Sequence, residues 1–179
     1  MSFNLNTFNG EYIGIVLDNN DESKSGKLKV TIPSLTNGFD TVDIPWAEPA
    51  FPYAYNDRGI LFIPEVNSAV KIYFLNGSIY KPVWASCIPH ESTGNYMPKE
   101  MLTNYPNRKI IKTKTAYILY DDTDEFIEVR HLSGTDFIIN KDGSINVKCV
   151  SNVTYDVDGD MDINCKGNYK VVAKRIDLN

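Results

Sequence analysis

The chain has 179 residues, a formal net charge of -5, and 42% hydrophobic and 23% charged residues. This is the balance of a globular chain of one or two small domains and excludes a disordered one. The acidic balance argues against a protein that wraps nucleic-acid phosphates, which is basic as a rule. No apolar run approaches the ~18 residues of a membrane span, and no basic start with an apolar leader opens the chain, so synthesis in a cytoplasm is expected.

Residues 1–9 are polar apart from Phe3, Leu5 and Phe8, and read as a loose arm or a short docking segment. From Gly10 to about Pro89 the chain reads as all-β. Tyr12–Leu17 is the first predicted strand. A polar turn from Asp18 to Gly26 leads to the cleanly alternating Lys27–Ile32, which Pro33 stops. Thr41–Ile44 reads as a short third strand and Pro45–Arg58 as a long loop carrying Trp46, Phe51, Tyr53 and Tyr55. Gly59–Ile63, Ala69–Leu75 and Tyr80–Cys87 complete the set. Short strands at this density predict a small closed barrel such as an OB-fold over residues 10–89.

Residues 90–112 lose the alternation and are expected to form a linker. Strands follow at Thr115–Tyr120, Phe126–His131 and Phe137–Ile139, with turns at Asp121-Asp122, Ser133-Gly134 and Lys141-Asp142-Gly143.

From Ser144 the chain repeats every eight residues. The blocks begin with the turn formers Ser144, Asn152, Asp160 and Asn168, and the first three end in a small residue, Ser151, Gly159 or Gly167. Gly143 stands one block upstream of Ser151. The second, fourth and sixth positions are apolar in every block: Ile145, Val147 and Cys149; Val153, Tyr155 and Val157; Met161, Ile163 and Cys165; Tyr169, Val171 and Ala173. Each block is a short alternating strand closed by a corner. A fixed period marks a stacked repeat architecture, and one such ribbon cannot bury its own apolar side. Nothing upstream shares the period, so the expected partner is further copies of the same chain around a common axis.

The chemistry-bearing residues are sparse. Cys149 and Cys165 share the sixth position and read as inward-facing small hydrophobes. His90 and His131 lack neighbours at ligand spacing, so no metal site and no cofactor is expected. The acidic cluster Asp121, Asp122, Asp124 and Glu125 lacks the spacing of a calcium loop and reads as a solvated turn, the rival reading being an enzyme that uses the Asp121/Asp122 pair for acid/base work. Asp156, Asp158, Asp160 and Asp162 share outward parity with Lys148, Lys166, Lys170 and Lys174, a charged row that keeps a β surface soluble. No nucleophile elbow, phosphate loop or Cys/His pair is present, so no enzyme activity is expected. Trp46, Phe51, Tyr53, Tyr55 and Tyr73 leave one alternative: an OB-fold that stacks single-stranded nucleic acid and carries the β-repeat as an oligomerisation tail.

Several stretches, in order, resemble the central spike of contractile tail machines: the baseplate spike of tailed bacteriophages, the spike of phage-like bacteriocins (tailocins), and the valine-glycine repeat spike of type VI secretion. They are Gly26–Pro33; Trp46-Ala47-Glu48-Pro49; Gly59–Val66 with Pro64, running into Val70–Phe74; Lys81–Ala85 with Trp84; Ile111–Ala116; His131–Thr135; and Asp142–Ile145, followed by the octads. The chain departs from the family's pattern at Asn67 and Ser78. The resemblance implies an all-β homotrimer, with an N-terminal OB-fold barrel followed by a neck and an intertwined triple-stranded β-helix over 113–179. It implies a non-catalytic, cell-puncturing virion component. Such a spike is made in the bacterial cytoplasm, docks on baseplate hub and tail tube, and acts on the target cell envelope. The linker is too short for an inserted lysozyme domain. The repeat stops at Arg175 without a His-x-His motif, so a separate tip-capping protein is expected.

Overall fold

The computed structural model describes residues 7–36, 40–89 and 97–177. The chain divides into two compact units, Met1–Lys99 and Glu100–Asn179.

In the first unit, β1 (Tyr12–Asp18), β2 (Leu28–Thr31), β3 (Trp46–Pro49), β6 (Ala69–Phe74) and β7 (Pro82–Cys87) close into a barrel in the order β1-β2-β3-β7-β6. β3 and β7 run parallel, with Glu48 opposite Val83; the other neighbours are antiparallel. Alternation explains the core. Val16, Leu28, Val30, Ala47, Val70, Ile72, Phe74 and Trp84 point inward and are buried, because successive side chains of a strand take opposite faces. β1 approaches its neighbours so closely at Gly14 that an added Cβ would lie 2.2 Å from a Val30 methyl. The segment before β1 docks on this barrel: the Phe8 N–H donates to Gly77 O at 3.0 Å, and the Phe8 and Phe74 rings lie 5.6 Å apart. Phe3 and Leu5 lie outside the described residues.

Two sequence expectations differ from the structure here. Thr41–Asp43 is a turn of 3-10 helix, not a strand. A strand would put Val42 and Ile44 on one face, but Val42 is exposed and Ile44 buried. Pro45–Arg58 is not a single loop. It contains β3 and then β4 (Tyr53–Tyr55), which pairs with β5 (Arg58–Ile60) in a two-stranded hairpin. Asp57 turns it with a φ of 58°, a conformation that Asp tolerates better than most residues. The hairpin is short, flanked by proline and exposed throughout, so no inward-outward alternation marks it. A single helical turn, α1 (Pro33–Thr36), follows β2.

A second helical turn, α2 (Lys99–Leu102), precedes a five-stranded antiparallel sheet. Its order is β12-β11-β10-β9-β8, from β8 (Arg108–Lys112), β9 (Ala116–Asp121), β10 (Phe126–His131), β11 (Asp136–Ile139) and β12 (Ile145–Lys148). Arg108–Lys112, read from sequence as linker, is thus a strand. Its basic residues hid the alternation because they serve as ion-pair partners. Part of the predicted linker, with His90, lies outside the described residues.

Register assigns the two faces of this sheet. Ile118 lies opposite Ile111 and Val129, Val129 opposite Phe137, and Phe137 opposite Val147. Tyr120 lies opposite Ile127, Ile127 opposite Ile139, and Ile139 opposite Ile145. Residues directly opposite share a face, so one face is largely apolar, with Lys109 on it opposite Tyr120. The other mixes the charged Arg108, Lys112, Asp121, Glu128, Arg130 and Asp136 with Ile110, Tyr117, Leu119, Phe126 and Ile138.

Beyond β12 the backbone bends at residues 150–151, 158–159, 166–167 and 174. The bends recur at the eight-residue period and fall at the block ends. Among the described residues, 151–177 join no strand ladder and no backbone–backbone hydrogen bond within the chain.

Candidate functional site

The strongest feature is the repeat itself. Its inward-parity side chains are uncovered in the single chain, from 48% exposed at Val157 to 75% at Tyr155. Cys165 is also exposed and Cys149 half-buried, so neither thiol is buried within one chain. The two thiols reproduce one geometry at a sixteen-residue interval. Cys149 Sγ donates to Asn152 O at 3.4 Å, and Cys165 Sγ to Asn168 O at 3.6 Å. The same local corner thus recurs two blocks apart, as a regular coil requires. Asp156, Asp158, Asp160 and Asp162 are also exposed.

This segment leaves two requirements open together. Its backbone N–H and C=O groups have no partner strand in the chain, and a row of apolar side chains has no cover. Additional strands alongside would meet both, since unpaired edges are templates for pairing. Burying each large apolar side chain is worth roughly 1.5–3 kcal/mol.

Of the barrel-motif residues, Pro49 and Trp84 meet just before β2, with Gly26 and Phe51, whereas Trp46, Gly59 and Pro64 lie apart from them. Gly26 has a φ of 83°, and a Cβ there would lie 2.8 Å from the Phe51 ring. Trp84 Nε1 donates to Gly26 O at 2.9 Å, and the Phe51 and Trp84 rings meet edge to face at 5.4 Å. Pro49 lies opposite Trp84 in the ladder. Asp21 staples the preceding turn, accepting from the Ser25, Gly26 and Lys27 N–H groups at 2.9–3.0 Å and from the Ser23 hydroxyl. The Ser23 hydroxyl, with the backbone N–H groups of Lys27, Ser25 and Ser23, holds the Asp21 pKa down to about 2, against the upward push of burial. Pro64 is buried, and its carbonyl accepts from Asn19 Nδ2 at 2.9 Å. Gly59 brings its backbone close to Tyr53 O, 2.7 Å from where a Cβ would stand. Trp46 lies beneath Lys29 Nζ, 5.5 Å from the ring centroid.

The aromatic residues considered for base stacking are spread among these roles. Phe51 packs on Trp84, Trp46 sits on β3, and Tyr53 and Tyr55 lie on the separate hairpin.

The acidic cluster is not simply a solvated turn. Asp121 is 2% exposed. Arg108 Nε donates to it at 2.5 Å, Asn104 Nδ2 at 3.0 Å, and the Thr123 and Asp124 N–H groups at 2.9 Å. Burial pushes its pKa up, but the Asp124 N–H, the Arg108 guanidinium, Asn104 and the Thr123 N–H outweigh it, leaving the carboxylate at about 2. The group is a clamp between β8 and the β9–β10 turn. Spacing alone could not show this, because its cation lies on a different strand. Asp122 and Asp124 remain at the surface, Asp122 paired with Lys109. His131 Nδ1 accepts from the Ser133 N–H at 3.2 Å and stabilises its turn.

Among the described residues, no group of three or more His, Cys, Asp or Glu side chains could hold a metal ion, and no catalytic motif is present. No curated protein matches the chain. Residues 12–88, which span the whole closed barrel, match the family model described as the type VI secretion system/phage-baseplate injector OB domain, so the N-terminal unit carries an OB-fold of that kind.

Proposed function

We propose that this protein is the non-catalytic central spike of a contractile, tail-like injection machine. The carrying observation is the eight-residue repeat after β12, with regular bends, uncovered apolar parity and no strand partner, behind a barrel of the injector OB type. Three copies would wind their octads into a triple-stranded β-helix. Ile145, Val153, Met161 and Tyr169 would line its interior, with Val147, Tyr155, Ile163 and Val171, and with Cys149, Val157, Cys165 and Ala173. Gly143, Gly159 and Gly167 would form its corners.

In this reading residues 1–9 are an arm, 10–89 the OB barrel and 90–112 a connection whose last strand joins the neck. Residues 113–179 complete the neck and form the spike. Winding removes every sheet edge, so the shaft is stiff and cannot be extended by stray pairing. The barrels form a wider collar. Their exposed hairpin side chains Tyr53, Tyr55 and Ile60, with Phe62 just beyond β5, are the surface offered to hub and tail tube. Contraction drives the shaft into the target envelope, a mechanical act that breaks no covalent bond. The chain is made in the bacterial cytoplasm and assembled into the baseplate.

Size-exclusion chromatography with light scattering tests this. The expected mass is three times the 20.2 kDa chain, unchanged on dilution, because each chain supplies burial for the others. A stable monomer with a native circular dichroism spectrum would overturn the reading.

A further inference from the structure

The outward side of the repeat carries an ordered pattern of charge. The backbone bends recur every eight residues, so residues eight apart occupy equivalent places on the coil. At that interval the outward positions pair Lys148 with Asp156, Asp158 with Lys166, and Asp162 with Lys170. One opposite-charge pair thus links the first block to the second, one the second to the third, and one the third to the fourth. The exception at this interval is Lys166 with Lys174. Within the blocks, an interval of sixteen leaves a single opposite pair, Asp158 with Lys174, and an interval of twenty-four leaves none.

The single chain does not use these charges. Lys148, Asp156, Asp158, Asp162, Lys166 and Lys170 are all exposed. Among the described residues none of them has an ion-pair partner in its own chain; the pair in this stretch is Arg175 with Asp177. Copies related by rotation about an axis run in one direction, so their neighbouring strands are parallel. Parallel strands in register bring equal block positions side by side, with roughly 4.8 Å between strands. Were neighbouring copies to meet block for block, every charge would face its own kind, which is destabilising. Where each block meets the following block of its neighbour, all three opposite pairs come together.

We propose that Lys148–Asp156, Asp158–Lys166 and Asp162–Lys170 are ion pairs between neighbouring copies, and that they select a stagger of one block between them. The inward side is poorly suited to this task. Its burial is non-directional, and a slip by one block still turns every apolar position inward. The outward charges do distinguish the registers: a slip exchanges three attractions for one, or for like charges face to face. A single exposed pair is weak, but repetition in every copy lets the sum decide between registers that are otherwise alike. The inference rests on the spike reading above, since its partner is a second copy of the same shaft.

Charge reversal in the full chain tests this at Asp162 and Lys170, whose other neighbour at the same block position is the neutral Thr154. The readout is the urea concentration at which the three-chain mass is half lost in light scattering. Asp162→Lys and Lys170→Asp should each lower it, and the double reversal should restore most of the loss. The difference should shrink at about 1 M salt, where screening cuts the range of charge to roughly 3 Å. Co-expression of the two single variants asks whether the pair lies between chains. Each variant carries like charges by itself but complements the other, so native mass spectrometry should find mixed trimers above their statistical share. A three-chain unsubstituted protein with unshifted single variants, additive losses in the double reversal, or random mixing overturns the ion pairs and leaves the spike reading standing. A monomeric unsubstituted chain overturns both.

Discussion

Single residues set the limits of this fold at close approaches and at buried charges. Gly14 sits in β1 with no room for a methyl: the nearest atoms are a Val30 methyl at 2.2 Å and Thr31 O at 3.2 Å. Gly14→Ala should destabilise the barrel by about 1–3 kcal/mol, the usual cost of overpacking, read as a lower denaturant midpoint of Trp84 fluorescence. Asp121 gives a pH signature. Its carboxyl is held at about 2, below the ordinary 3.8. A depressed carboxylate contributes stability that is fully present above its unfolded pKa and is lost as pH falls through the folded value. Stability should therefore drop between roughly pH 4 and pH 2. Asp121→Asn should lower the thermal midpoint at neutral pH and flatten that drop, because Arg108, largely buried itself, loses its counter-charge. Removing one partner of such a pair costs about 3–5 kcal/mol. An unchanged acid profile in the variant would show that other carboxylates, such as Asp21, control it.

At the scale of elements, the octads are the informative unit. In the single chain Val157 and Ile163 touch little, so a charge at either should be tolerated by a monomer. In the wound shaft each substitution places three carboxylates near one axis, where unpaired charge is strongly disfavoured. Val157→Asp or Ile163→Asp should abolish the three-chain species in light scattering while the barrel keeps its Trp84 environment. Substitution of the outward Asp158 by Asn should leave the mass unchanged. Normal trimer yield from either inward variant would mean that the parity has been assigned to the wrong side.

For the whole molecule, the question is which use of an OB barrel this chain makes. The matched family is an injector domain, and the candidate stacking side chains are divided among the barrel wall, the Trp84 contact and the exposed hairpin. Net charge is -5. Titration with single-stranded DNA at low salt should therefore show no tight, salt-sensitive binding, whereas a phosphate-tracking groove would give affinity that falls steeply with salt. Sub-micromolar binding abolished by moderate salt would instead favour the nucleic-acid alternative.

Read alone, the sequence determined the all-β class, the main barrel strands β1, β2, β6 and β7, the neck strands β9 to β11, and the eight-residue period. These are legible because inward-outward alternation and turn residues are local signals. Only the tertiary structure decided the rest. Thr41–Asp43 proved a helical turn, since three residues are too few for parity to distinguish a turn from a strand. The β4–β5 hairpin escaped because it buries nothing. β8 read as linker because Arg108 and Lys112 answer to Asp121 and Glu100, residues that folding brings to them. The largely apolar face of the neck appeared only when register aligned five strands, because a sheet's face is a property of pairing between strands and not of any one of them.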